Sequence, residues 1–193
     1  AFWTAEDVHS RQWEAGRILL YESGNDPYQI IFWMRIPMIL LSLLFGYLLF
    51  RWVRSIYGGG VALFTLLLYA FSPTFIAHSR YVTTDVAAAF GFFFFIASFT
   101  RFLEKQTLKR LFVAGLALGT ALVLKFSLFL LIPIYGVLVF LWAYLEVHDF
   151  SYGSEDKLSY VKTLGKIVAK TILIGLIAVL IIYAVYLFHV WNY

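Results

Sequence analysis

The chain has no cysteine, only 4 prolines and 2 methionines, and just 13% charged residues in 193 positions. Without cysteine there is neither a disulfide framework nor a thiolate metal site. A soluble domain carries roughly 25% charge and about half apolar residues. This chain is 62% hydrophobic and 20% aromatic, with a mean hydropathy of +0.84. That much apolar surface cannot be hidden inside so short a chain, so lipid is its solvent. The net charge of +4 leaves no footprint for a nucleic-acid partner. No basic–apolar–small signal-peptide pattern opens the sequence at Ala1, and the reading is of a fragment cut at the N-terminus and at the C-terminus.

A bilayer core of about 30 Å needs roughly 20 apolar residues of helix. On that ruler six segments are expected to be membrane helices: Ile31–Phe50, Gly60–Ala77, Asp85–Leu103, Leu111–Leu124, Phe126–Tyr144 and Ile167–Phe188. They must be helices because a lipid-exposed strand leaves its amides unpaired, and the alternation of a membrane barrel is missing. The expected fold is an all-α polytopic bundle. Residues 1–30 form part of an extracytoplasmic loop with an amphipathic interfacial helix, and 31–193 form the transmembrane domain. Trp3, Val8, Trp13, Ile18, Leu19 and Leu20, interleaved with charges, carry the interfacial expectation. The stretch 145–166 reads as the one ordinary hydrophilic loop. The fourth segment rises only about 21 Å and should stop short of the surface, at Lys125. Its Gly115 and Gly119 fit either close packing on a neighbour or simple tolerance of glycine in lipid.

Loop charges set the expected orientation. Arg51 and Arg54, then Arg101, Lys105, Lys109 and Arg110, then Lys157, Lys162, Lys166 and Lys170 occupy alternate connections. The positive-inside rule places them in the cytoplasm. The N-terminal tail, the 78–85 loop, Lys125 and the C-terminus then face outward from the cell's inner (plasma) membrane.

Against this background the polar island Ala77-His78-Ser79-Arg80-Tyr81-Val82-Thr83-Thr84-Asp85-Val86 stands out between two apolar runs. Asp85 at the mouth of a span is a functional candidate, and equally suits capping of the helix that follows, as do Thr83 and Thr84. Arg80 offers a fork of donors suited to phosphate or carboxylate; taken singly, Arg80 and His78 fit interfacial anchoring better. No second histidine has metal-ligand spacing with His78. Lys125 lies between Leu124 and Phe126 and needs compensation for its charge. A lipid-linked phosphate would supply it, and snorkelling at a tight hairpin fits as well. Arg35, two residues before Pro37, reads as an interfacial anchor. Gly58-Gly59-Gly60 lacks the context of a phosphate-binding loop, and no serine elbow is present. Phe92–Phe95 reads as lipid-facing or packing residues.

Several blocks together resemble the GT-C superfamily of membrane glycosyltransferases. They are Arg35-Ile36-Pro37, then Arg51-Trp52-Val53-Arg54-Ser55-Ile56-Tyr57-Gly58, then Phe71-Ser72-Pro73 through Thr83-Thr84-Asp85, and Gly115-Leu116-Ala117-Leu118-Gly119 through Lys125-Phe126-Ser127. The nearest branch is the protein-mannosyltransferase-like bacterial enzymes, relatives of the aminoarabinose lipid A transferase. The resemblance implies transfer of a hexosyl or pentosyl unit from a polyprenyl-phosphate carrier to a protein, lipid or glycan acceptor on the extracytoplasmic side. It implies a catalytic role for Asp85 and carrier-phosphate binding by Lys125; Arg80 and His78, on the same face, are the further candidate substrate contacts. It also implies that the primary carboxylate lies upstream of Ala1, since no apolar span precedes Glu6-Asp7; such a fragment need not be active alone. The cofactor is unknown; a divalent cation is compatible with the chemistry, but no residue pattern indicates one. The alternative is a transporter or flippase for a lipid-linked or anionic substrate. That reading asks for polar groups near the midplane and inverted repeats, and the sequence has no repeat.

Overall fold

The computed structural model describes residues 8–151 and 157–191, and among them eight α-helices and no strand. Trp3 and the Glu6-Asp7 pair lie outside the described residues. Helix α1 (Val8–Arg17) runs into a π-helical turn (Ile18–Glu22). Arg17 ties the two together, pairing with Glu14 at 2.6 Å and with Glu22. The guanidinium, hydrogen-bonded to Glu14, holds that carboxyl below its ordinary range. Trp13, Leu19 and Tyr21 are exposed.

Helix α2 spans Pro27–Tyr57, capped at its start by Asp26, whose side chain accepts from the Tyr28 amide at 2.9 Å. Its 31 residues rise about 46 Å, well beyond an apolar core of about 30 Å, and it continues through Pro37. Gly58, at φ 84, makes the reversal into α3 (Gly59–Ala70) at a backbone angle that side chains disfavour. The segment expected over Gly60–Ala77 is not one straight helix. The helix breaks at Phe71–Ser72 and resumes as α4 (Pro73–Ser79) with a 61° bend. Pro73 is the cause: its ring disfavours helical geometry at Ser72, which is extended, and it then starts the next helix well.

Helices α5 (Asp85–Glu104) and α6 (Leu108–Leu124) form an antiparallel pair. A five-residue 3-10 turn, Phe126–Leu130, leads into α7 (Leu131–Ser151), and α8 covers Lys157–Val190. The hydrophilic loop expected over 145–166 is therefore mostly helix. The polar residues there extend two helices past their apolar windows, leaving only 152–156, outside the described residues. All six apolar segments are built of helix, one of them broken at Phe71–Ser72 and one opening with the 3-10 turn. Four stretches are long and apolar enough to span a membrane: Pro27–Tyr57, Asp85–Glu104, Phe126–Leu145 and Gly165–Phe188. The bent pair α3–α4 makes up to five. Helix α6 is not among them: it has 17 residues, about 25 Å, and lies packed inside the bundle.

The core is built on α5 and α6. Phe95, Phe99 and Phe102 are fully buried, with Tyr135 and Trp142 of α7 against them, while Phe92 faces outward. Thus the Phe92–Phe95 run both packs and faces lipid. Lipid removes the hydrophobic drive between helices, so close packing must come from small residues. Gly115 and Gly119 supply it. A Cβ on Gly115 would sit 2.7 Å from Ile177 Cβ of α8, and one on Gly119 2.9 Å from the Ala178 carbonyl oxygen. Close packing, rather than tolerance, is what this pair does.

A second, smaller cluster joins α2 to α3, α4 and α5 around Phe45. Tyr69 Oη donates to the Ser42 carbonyl at 2.8 Å and lies 2.9 Å from Ser42 Oγ. Tyr69→Phe is expected to lower stability by about 0.5–1.5 kcal/mol, the net worth of one such bond, read as a lower thermal midpoint in detergent. An unchanged midpoint would show that the ring alone holds α3 on α2.

Candidate functional site

Pro73 sets the site's geometry. By starting α4 at an angle to α3 it turns His78 back over the beginning of α5. The chain crosses from Arg80 to Thr84 without helix and enters α5 at Asp85. Asp85 is the first helical residue, where the macrodipole favours negative charge. It does not cap the helix: Thr84 holds the cap position and makes no side-chain cap bond. The carboxylate turns elsewhere, and the capping reading of Thr83, Thr84 and Asp85 gives way to a different partnership.

That partner comes from the far end of α6. Lys125 is extended (φ −156, ψ 134), which ends α6 and starts the 3-10 turn. Its Nζ donates to Asp85 Oδ1 at 2.6 Å. His78 Nδ1 lies 3.2 Å from the other oxygen, Oδ2. One carboxylate thus sits between an ammonium and an imidazole drawn from three elements. The charge on Lys125 is compensated within the protein, by Asp85. Side-chain exposures of 34% for Lys125 and 46% for Asp85 leave the pair open to solvent and screening, so it adds little to stability.

Two polar atoms there lack a hydrogen bond although they are buried: His78 Nδ1, near Oδ2 but not aligned with it, and Thr83 Oγ1. Buried polar groups are nearly always satisfied, and exceptions mark sites of strain or function. Arg80 is not drawn in. It is exposed, with its guanidinium 5.6 Å from the Tyr81 ring centroid. Arg35 is likewise exposed on α2. No group of three metal-ligating side chains gathers among the described residues. Sequence reasoning missed the imidazole–carboxylate contact, since the end of α4 and five non-helical residues, 80–84, separate His78 from Asp85 and only the bend closes that gap.

The other end of the bundle is basic. Arg101 Nη2 reaches Ser55 Oγ at 3.4 Å, Arg110 donates to the Arg101 carbonyl, and Lys170 Nζ donates to Gln106. The three basic connections singled out by charge alternation therefore meet at one end of α5, about 30 Å from Asp85 along its 20 residues.

A family model described as dolichyl-phosphate-mannose-protein mannosyltransferase matches residues 29–148. The match runs from the start of α2 almost to the end of α7 and takes in His78, Arg80, Asp85 and Lys125. No curated protein and no solved structure matches significantly.

Proposed function

The chain belongs to the dolichyl-phosphate-mannose-protein mannosyltransferase family, and from that premise we propose that it moves a sugar from a polyprenyl-phosphate carrier to a protein, lipid or glycan acceptor at the extracytoplasmic face of the inner membrane. Family and apolar helices together make it a multi-pass membrane glycosyltransferase of the GT-C type. The observation that carries the finer reading is the Asp85 carboxylate held between Lys125 and His78 at the end of α5 away from the basic connections.

The chemistry follows from the charges. An acceptor hydroxyl or amine attacks the anomeric carbon and forms the new bond. The carbon–oxygen bond to the carrier breaks, and the phosphate leaves with its electron pair. The acceptor proton goes to a carboxylate, the role assigned to Asp85. A cation stabilises the negative charge gathering on the departing phosphate, the role assigned to Lys125. Lys125 is engaged by Asp85, so an arriving phosphate competes for the ammonium and frees one carboxylate oxygen. His78 Nδ1 lies 3.2 Å from the other oxygen, close enough to bond it after a small rotation. Arg80, exposed and one loop away, is a further contact for the donor. Among the described residues, the ion pairs between helices lie at the ends of the bundle, and nothing at mid-depth favours transport.

Lys125→Ala is expected to raise the apparent KM for the lipid-linked donor about tenfold or more, the worth of one charge-assisted hydrogen bond, when transfer is assayed in native membranes. An unchanged donor KM would reduce Lys125 to an anchor for Asp85.

A further inference from the structure

At the basic end, α2, α5 and α6 enclose a cavity of about 440 Å³ that has no part in the proposed transfer. Its wall is apolar, formed by Leu48, Phe93, Ala97 and Val113. Its rim carries four cations: Arg51, Arg101, Lys109 and Arg110. A neighbouring hollow, shared with Arg51, adds Arg54. Acidic compensation is sparse. Glu104 approaches Arg110 at 3.4 Å, and no carboxylate among the described residues lines the cavity. Arg51 turns to the Tyr47 hydroxyl at 3.1 Å and Arg101 to Ser55 at 3.4 Å, both neutral groups.

Four cations around one hollow repel each other unless an anion lies among them. A soluble anion would need no apolar wall, and an acyl chain would need no cations. An anionic phospholipid satisfies both, with its phosphate at the rim and the upper part of an acyl chain against Phe93 and Ala97. The rim cations stand toward the ends of α2 and α5 and at the start of α6, and basic pockets between membrane helices are suited to such lipids. Its volume is also within the range of ligand sites. We propose that this cavity binds the headgroup of an anionic phospholipid and ties α2 to the α5–α6 pair.

The test uses the purified protein in neutral detergent. Phosphatidylglycerol, phosphatidylcholine and inorganic phosphate are titrated separately, with thermal midpoint and lipid retention in native mass spectrometry as readouts. Phosphatidylglycerol is expected to raise the midpoint and remain bound, and the other two to do neither. Each rim cation is worth roughly fivefold in affinity for an anionic surface. The double variant Arg101→Gln/Lys109→Gln is therefore expected to bind phosphatidylglycerol on the order of 25-fold more weakly. Both residues are exposed; should the double variant fail to fold, Lys109→Gln alone carries the test with a loss of about fivefold. Unaltered binding in the variant, equal stabilisation by phosphatidylcholine, or full stabilisation by inorganic phosphate each overturns the proposal.

Discussion

Gly119→Ala is expected to destabilise the protein, although alanine is the better helix former by about 0.8–1 kcal/mol. Space decides the sign. A Cβ at position 119 would lie 2.8 Å from Ile181 Cβ, 2.9 Å from the Ala178 oxygen and 3.0 Å from the Ala178 Cα. Two of those atoms are backbone and cannot rotate aside, so α8 must move off α6. Overpacking costs about 1–3 kcal/mol in a close-packed interior, and rigid neighbours put this site toward the upper end. Gly119→Val adds two methyl groups beyond that Cβ to the same gap and is expected to detach α8 altogether. Gly136 and Gly175 are the internal controls, since nothing lies within 4 Å of a Cβ at either. Alanine there should leave the midpoint unchanged or raise it. Scanning fluorimetry in one detergent decides the matter. A Gly119→Ala midpoint at or above that of the unaltered protein would mean that α6 and α8 do not meet as described.

Asp85→Asn is expected to cut sugar transfer by about a hundredfold or more, the usual contribution of a positioned acid–base group. Asparagine keeps the size of the side chain and an oxygen that can accept from Lys125, but it has neither the charge nor the basicity to take the acceptor proton. Expression and thermal stability should change little, because the pair is about half exposed and such pairs add little to stability. That separates a chemical role from a structural one. The assay belongs in native membranes supplied with a lipid-linked sugar, and transfer within a fewfold of normal would end the role assigned to Asp85. His78→Gln, which removes only the contact to Oδ2, should cost less than Asp85→Asn.

Much of the architecture was legible in residue order. Every apolar run became a helix, since lipid allows a lone segment no other way to satisfy its amides. The stop at Lys125 was legible too. Element ends were less so. Charged residues at 145–151 and 157–166 read as loop but continue helices, because a helix need not end where its apolar window does. The bend at Phe71–Ser72 was hidden in a run that was long and apolar enough for one span, despite the visible Pro73.

The sequence by itself determined that this chain is an all-helical membrane protein, that its basic connections alternate, and that polar chemistry collects around residues 78–85 and at 125. Those properties follow from local composition, which the bilayer reads one segment at a time. Only the tertiary structure decided which of those polar groups meet. Lys125 is 40 positions from Asp85 yet donates to it at 2.6 Å, and His78 reaches the same carboxylate, whereas Arg80, nearer in sequence, does not. The reason is packing: Gly91 lets α5 lie close on α6, where a Cβ would meet the Ala121 Cα at 3.1 Å, and because the two helices run antiparallel the end of α6 is brought to the beginning of α5.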